Sequence, residues 1–166
     1  PLGTFDPLHF ADRADDATLK RYREAELQHG RVAMLAAVGF LAGEAVQSAW
    51  WGGRITGPAI RHIPQLSPIL WLFLTVAIAK AEITRAEIGW VEPSNVPYDR
   101  PGLLRENYIP GDLGFDPLGL KPTDAAGYWK MQVRELQNGR LAMIAASGFM
   151  AQELANGKGI LENLAF

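Results

Sequence analysis

Apolar and charged positions fall into three long blocks separated by glycine- and proline-rich connections, and each block reads as a helix. The first runs from about Asp16 to about Trp51. It starts charged, as DDATLKRYREAELQHGR, and turns apolar at Val32. The second, PILWLFLTVAIAKAEITRAEIGW, runs from about Pro68 to about Trp90, with Pro68 suited to a first helical turn. The third runs from about Asp124 to about Ala155 and meets a stop signal at Asn156 and Gly157. Gly52, Gly53, Gly57, Pro58 and Pro64 break the first connection; Pro93, Pro97, Pro101 and Pro110 break the second. The second is long, roughly Val91 to Thr123, and connections of that length inside a domain are usually functional. No stretch alternates as a strand would. The expectation is one all-α domain over residues 1–166.

The first and third helices repeat each other. Thirteen of the nineteen positions in Glu26–Glu44 are identical to Glu135–Glu153. An F-D-P-L turn precedes each copy, at Phe5–Leu8 and Phe115–Leu118. Each unit is thus an entry turn, a charged helix start, E-x-x-[HN]-G-R and a small-residue apolar stretch. Two such units around a different middle helix predict a pseudo-two-fold pair. Small residues follow the motif: Ala33, Ala36, Ala37, Gly39 and Gly43 in one copy, Ala142, Ala145, Ala146 and Gly148 in the other. They predict a close helix crossing, with Gly39-x-x-x-Gly43 as its packing motif, or grooves for a long flat ligand.

Tryptophan placement bears on where the helices sit. Trp50, Trp51, Trp71, Trp90 and Trp129 all fall at predicted helix ends, where an amphipathic ring suits a water–lipid boundary. Trp71 to Trp90 covers roughly 28 Å of helix, near the ~30 Å thickness of a bilayer core. Mean hydropathy is −0.02, ordinary for a soluble domain. No uninterrupted apolar run reaches the ~18 residues that alone would mark a span. The tryptophans favour three transmembrane helices, with both copies crossing in one direction. The start, PLGTFDPLHF, reads as a mature or trimmed end. There is no cysteine, so no disulfide framework or thiolate metal site, and a net charge of −2 without a basic block gives no case for nucleic acid.

Membrane helices make their ionisable residues conspicuous: Glu26, Arg31, Glu44, Lys80, Glu82, Arg85, Glu135, Arg140 and Glu153. Glu26 and His29 share a helix face, whereas Arg31 lies about 140° from Glu26. The same holds for Glu135, Asn138 and Arg140. Two such helices crossing about a two-fold axis can pair Glu26 with Arg140 and Glu135 with Arg31. Each carboxylate then keeps an oxygen free for a metal. His29, Asn138, Gln152 and the glutamates are single donors of the kind that fill one axial position on magnesium already held in a macrocycle. Gln152 lies about 40° around and roughly 21 Å along from Asn138, so one helix could serve rings near both membrane surfaces. Glu82 and Arg85 form a local pair on the middle helix, leaving a carboxylate oxygen over. Two other readings stand beside this one. Glu26-x-x-His29 matches half of a di-iron carboxylate site, which needs a second E-x-x-H that the chain lacks. The Glu–Arg pairs could also be structural glue alone. His9, His62 and Gln47 are weak ligand candidates, better read as solvated, capping or packed residues.

GDLGFDPLGL, ELQHGRVAMLA and ELQNGRLAMIAASGFMAQEL closely resemble the light-harvesting chlorophyll-binding protein family, over nearly the whole chain. The resemblance implies three membrane-spanning helices with the first and third crossed through reciprocal Glu–Arg pairs. Glu26, His29, Glu82, Glu135, Asn138 and Gln152 match axial ligands to chlorophyll magnesium. Arg31 and Arg140 match the pairing arginines, and the turns at Asp6 and Asp116 match regions that hold carotenoid end groups. The implied cofactors are chlorophyll a, chlorophyll c (chlorophyll b as alternative), xanthophylls of the fucoxanthin, peridinin or diadinoxanthin type, and lipids. The short connection and RYREAELQHGR look most like the chlorophyll a/c branch. The implied role is a non-enzymatic antenna in the plastid thylakoid membrane that passes excitation to a photosystem core, photosystem I favoured, beside neighbouring antenna subunits. A photoprotective, quenching role is the alternative. Three departures are expected: Leu74 where many members carry Gln, Gly43 opposite Gln152 in the repeat, and no C-terminal amphipathic helix with a His ligand, since the chain ends in GILENLAF.

Overall fold

The computed structural model describes residues 6–50, 55–98 and 102–164, without the side chains of residues 47–50. Phe5 and Trp51, and the side chains of Gln47 and Trp50, lie outside the described residues. The three long helices are α1 (Asp16–Trp50), α2 (Pro68–Gly89) and α3 (Ala125–Asn156), followed by a short α4 (Ile160–Leu164). Among the described residues there are also three single 3-10 turns: Ala59–Arg61, Ile63–Gln65 and Pro93–Asn95.

The helices begin and end for chemical reasons. Asp15 Oδ1 accepts the Thr18 N–H at the start of α1. Ser67 Oγ accepts the Leu70 N–H beside Pro68 at the start of α2. Asp124 accepts the Gly127 N–H at 2.6 Å at the start of α3. Each satisfies an orphan donor of a first turn. At the other end of α3, Gly157 sits at φ +67°, left-handed backbone that a side chain resists, and its N–H closes on Glu153 O. A short C-terminal turn without a histidine follows α3. Once Gly157 has turned the chain, Ile160–Leu164 forms a single helical turn whose Ile160 is only 2% exposed.

α1 and α3 pack across each other, with α4 and the Ala59–Arg61 turn against their far ends. α2 stands apart: among the described residues its backbone packs on neither α1 nor α3. Side chains and the following segment hold it. Trp71 Nε1–H donates to Ile63 O, Trp90 bridges Leu104, and Gly89 meets the Tyr108 ring closely enough that a Cβ there would lie 3.0 Å from it. The buried apolar core is correspondingly thin: Leu27, Ala33, Ile55, Leu104, Tyr108, Ala142, Ala146 and Ile160.

Large apolar side chains cover the outside instead. Leu35 is 76% exposed and Ile144 74%; on α2, Ile69, Leu72, Phe73, Val76 and Ile78 all face outward. Yet no single helix among the described residues is long and apolar enough to cross a membrane; one bent pair, Ala59–Gln65 with Pro68–Gly89 at 107°, passes by length and composition. The three-span expectation is therefore not met by length and apolarity alone. The reason is visible along the helices: ionised residues run through the crossing of α1 and α3, and Lys80, Glu82 and Arg85 interrupt α2.

Candidate functional site

The pseudo-two-fold axis can be followed residue by residue. Gly30 and Gly139, equivalent in the repeat, face each other so closely that a Cβ on either would lie 3.0 Å from the other's Cα. Phe40 and Phe149, also equivalent, stack as a tilted ring pair with centroids 6.0 Å apart. The crossing point is thus the glycine inside E-x-x-[HN]-G-R. The expected Gly39-x-x-x-Gly43 motif does not form it: a Cβ on Gly39 would meet nothing within 4 Å, and Gly43 faces His62. Gly148, the equivalent of Gly39, also faces open space.

Reciprocal ion pairs flank the crossing. Arg31 Nε donates to Glu135 Oε1 at 2.7 Å, and Arg140 Nε donates to Glu26 Oε1 at 2.7 Å. Arg23 adds a longer contact to Glu26 Oε2 at 3.3 Å. Glu135 Oε2 carries no protein hydrogen bond among the described residues.

His29 and Asn138 are exposed on the outer faces of the pair, and each spends its N–H on its own helix. His29 Nδ1 lies 2.7 Å from Ala25 O, and Asn138 Nδ2 donates to Arg134 O at 2.9 Å. A carbonyl partner requires the proton on Nδ1, so in the neutral ring the lone pair lies on Nε2, and Asn138 offers those of Oδ1. Equivalent positions therefore present one neutral donor each. Gln152 is half-buried, without a hydrogen bond of its own among the described residues. Among the described residues no cluster of histidine or carboxylate side chains could enclose a metal ion. A metal at these donors must bring its other ligands with it, which suits a metallated macrocycle and not a di-iron centre.

The α2 centre is more engaged than expected. Arg85 Nε donates to Glu82 Oε2 at 2.9 Å, but Gln28 Nε2 donates to Glu82 Oε1 at 2.7 Å, so both oxygens of Glu82 already carry one bond. Arg85 also reaches Glu24 Oε1 at 3.2 Å. Glu24, which no pattern in the sequence singles out, is only 3% exposed and also accepts the Tyr108 hydroxyl at 2.9 Å and the Gly111 N–H at 2.8 Å. Arg31 donates to Gly111 O at 2.7 Å. Burial and the neighbouring Glu24 carboxylate push the Tyr108 phenol up to about 12, so it stays a donor. The available signal for Glu24 was a charge that the second copy lacks: its equivalent is Val133.

The two F-D-P-L turns close alike. Asp6 accepts the N–H groups of Phe10 and Ala11; Asp116 accepts those of Leu120 and Lys121. The residue three beyond each is left-handed, His9 at φ +56° and Gly119 at φ +62°. His9 thus serves the turn, with its ring on Asp12 Oδ2 at 2.7 Å. The Ala11 N–H above all holds the Asp6 carboxyl below the usual range, and the Lys121 N–H does so for Asp116. Beside the second turn a groove of about 690 Å³ opens between α1, α3 and the connection, lined by Leu27, Arg31, Ile109, Phe115, Trp129 and Leu136 among others. At its rim Lys121 bonds Asp112 at 2.6 Å and holds that carboxyl low.

At the far ends, Glu44 accepts the N–H groups of Ile160 and Leu161, and Glu153 those of Ala59 and Ile60. These equivalent glutamates, both buried, cap one short helical turn each. His62 bonds Gly57 O through Nε2 at 2.8 Å and packs its other nitrogen toward Gly43. It fills the space beside α1 where the repeat replaces Gln152 by glycine. Leu74 is exposed on α2.

The crossed helix pair thus leaves His29 and Asn138 exposed, among large apolar side chains that are also unburied. The chlorophyll A-B binding protein model matches residues 1–154. A light-harvesting complex stress-related protein 3.2 of Chlamydomonas reinhardtii is 48% identical over 98% of this chain and 63% of its own length. A fucoxanthin-chlorophyll a-c binding protein of Isochrysis galbana is 49% identical over 94% of the chain and 74% of its own. A chlorophyll a-b binding protein 6A of Solanum lycopersicum is 37% identical over 90% and 59%. The chain belongs to the chlorophyll a-b binding protein family, whose members are pigment-binding antenna proteins and not enzymes. It spans 63% of the length of the stress-related relative.

Proposed function

We propose that this chain is a light-harvesting antenna of a thylakoid membrane, binding chlorophylls and carotenoids and passing excitation to a photosystem core. The observation that carries the reading is the matched pair His29 and Asn138, each with its proton fixed on its own helix and one neutral lone pair turned outward. His29, Asn138, Gln152, Glu26, Glu135 and Glu82 would each hold one chlorophyll through its magnesium, and Asp6 and Asp116 would shape the turns beside carotenoid end groups. Chlorophyll supplies the light absorption; the chain sets where each ring sits and what surrounds it. Chlorophyll a is the main ring, with chlorophyll c the second and chlorophyll b the alternative. The groove beside Asp116, about 690 Å³ with Leu27, Ile109, Phe115 and Trp129 among its walls, supports a place for a xanthophyll end.

Helices α1, α2 and α3 each cross the bilayer, so that lipid and pigment cover their exposed apolar surface. At 1.5 Å per residue α1 is about 52 Å long, so it tilts and projects beyond the ~30 Å core. The partners are a photosystem core, photosystem I favoured, and neighbouring antenna subunits.

Similarity to the stress-related relative supports a second reading, a photoprotective pigment protein on the same scaffold. Folding the chain with a pigment extract in detergent and measuring magnesium and pigment per protein tests the common part; a chain that takes up neither contradicts it. Excited-state lifetime then divides the two: a long lifetime at neutral and acid pH is the antenna result, and a short one at either pH supports quenching.

A further inference from the structure

We propose that Glu24 is the positioning residue that docks α2 against α1 and orients Glu82 for its ring; this rests on Glu82 being a chlorophyll ligand, as proposed above. α2 has no backbone packing on the helix pair, so side chains must fix its height and rotation. The contacts that do so converge on one buried carboxylate. Glu24 Oε1 takes Arg85 NH1 at 3.2 Å, and Oε2 takes the Tyr108 hydroxyl and the Gly111 N–H. Arg85, held there, turns Nε and its other terminal nitrogen onto Glu82 Oε2 at 2.9 and 2.8 Å. Gln28, one turn beyond Glu24 on α1, holds the other oxygen. Glu82 is thereby clamped from both sides: Oε2 receives two N–H groups of Arg85, and Oε1, which accepts from Gln28 alone, retains a lone pair in a fixed direction.

The same carboxylate explains why α2 sits beside one copy of the repeat. Glu24 has Val133 as its equivalent on α3, and Gln137, the equivalent of Gln28, is exposed. The pseudo-two-fold axis offers α2 two matching surfaces; only α1 carries an acid there to receive Arg85. Gly111 extends the chain of contacts. Its N–H serves Glu24 and its carbonyl serves Arg31, whose guanidinium pairs Glu135. The Glu82 and Glu135 positions are thus joined through Arg85, Glu24, Gly111 and Arg31, in the manner of outer-shell partners that aim a metal ligand.

The test is pigment stoichiometry on the full chain folded with extracted pigments in detergent, for wild type, Glu24→Val, Glu24→Gln and Glu82→Leu. Glu24→Val is expected to lose one chlorophyll per protein, with a difference spectrum that superimposes on that of Glu82→Leu. Adding Glu24→Val to Glu82→Leu should remove no further ring. Glu24→Gln keeps an acceptor for Tyr108 and Gly111; it should reach the wild-type helix content by circular dichroism in the pigment-loaded sample, yet bind the same ring more weakly. Full retention of that ring in Glu24→Val or Glu24→Gln overturns the proposal, and so does an equal loss from every site. Wild type that binds no chlorophyll overturns the function on which the proposal rests.

Discussion

Glycine marks the tightest point of the molecule, and two glycines nine residues apart have opposite duties. A methyl on Gly30 would lie 3.0 Å from backbone on the facing helix, which cannot swing aside; a methyl on Gly39 would meet nothing within 4 Å. Gly30→Ala should therefore lower stability by about 1–3 kcal/mol through overpacking, despite the gain of ~1 kcal/mol in helix propensity. Gly39→Ala should keep the propensity gain and leave the crossing intact. Unfolding midpoints by circular dichroism check the order: Gly39→Ala at or above wild type, Gly30→Ala below both. The sequence displayed this incompletely. A GxxxG pattern drew attention to Gly39 and Gly43, but spacing cannot say which glycines lie on the facing stripe. The Glu–Arg pairs were legible because their helical angles forbid pairing within one helix and demand it across the axis. Glu24 was not legible, because its partners come from α2 and from Tyr108 and Gly111, which no local pattern links to it.

At the scale of elements, the repeated entry turns are the most transferable unit. Each is an aspartate whose two oxygens accept two successive backbone N–H groups, followed by a left-handed residue. Those bonds favour the charged form, so the folded pKa values of Asp6 and Asp116 lie below their unfolded values. For a depressed carboxyl the stabilising contribution is complete above the unfolded pKa, about 3.9, and is lost as pH falls through the folded value. Both turns should thus remain closed from neutral pH down to about 4 and open only below it. Hydrogen exchange at the Ala11 and Lys121 amides across an acid series reads this directly; protection lost near pH 5 would contradict it. The long helices could be placed from composition and breakers to within a residue or two, since Pro68, Asp124 and Gly157 act locally. α4 and the Ala59–Arg61 turn could not. They exist because Glu44 and Glu153, distant in sequence, cap them.

For the whole molecule, the balance between inside and outside is inverted relative to a soluble domain. Among the described residues few apolar side chains are buried, while large apolar side chains line the exterior of all three long helices. Paired charges at the crossing and around α2 hold the helices at set angles; apolar surface is left for what the chain binds and for lipid. On the proposed function folding and pigment binding should be coupled, because the outward donors and grooves gain partners only when loaded. On the same proposed function the two E-x-x-[HN]-G-R copies are equivalent single-donor sites, one chlorophyll each. Its most direct test is the chlorophyll count of the pigment-loaded chain with His29→Leu, Asn138→Leu and both together. Each single substitution should remove one chlorophyll and the pair two, with the circular dichroism helix content unchanged; a full chlorophyll complement in the double variant would contradict the account.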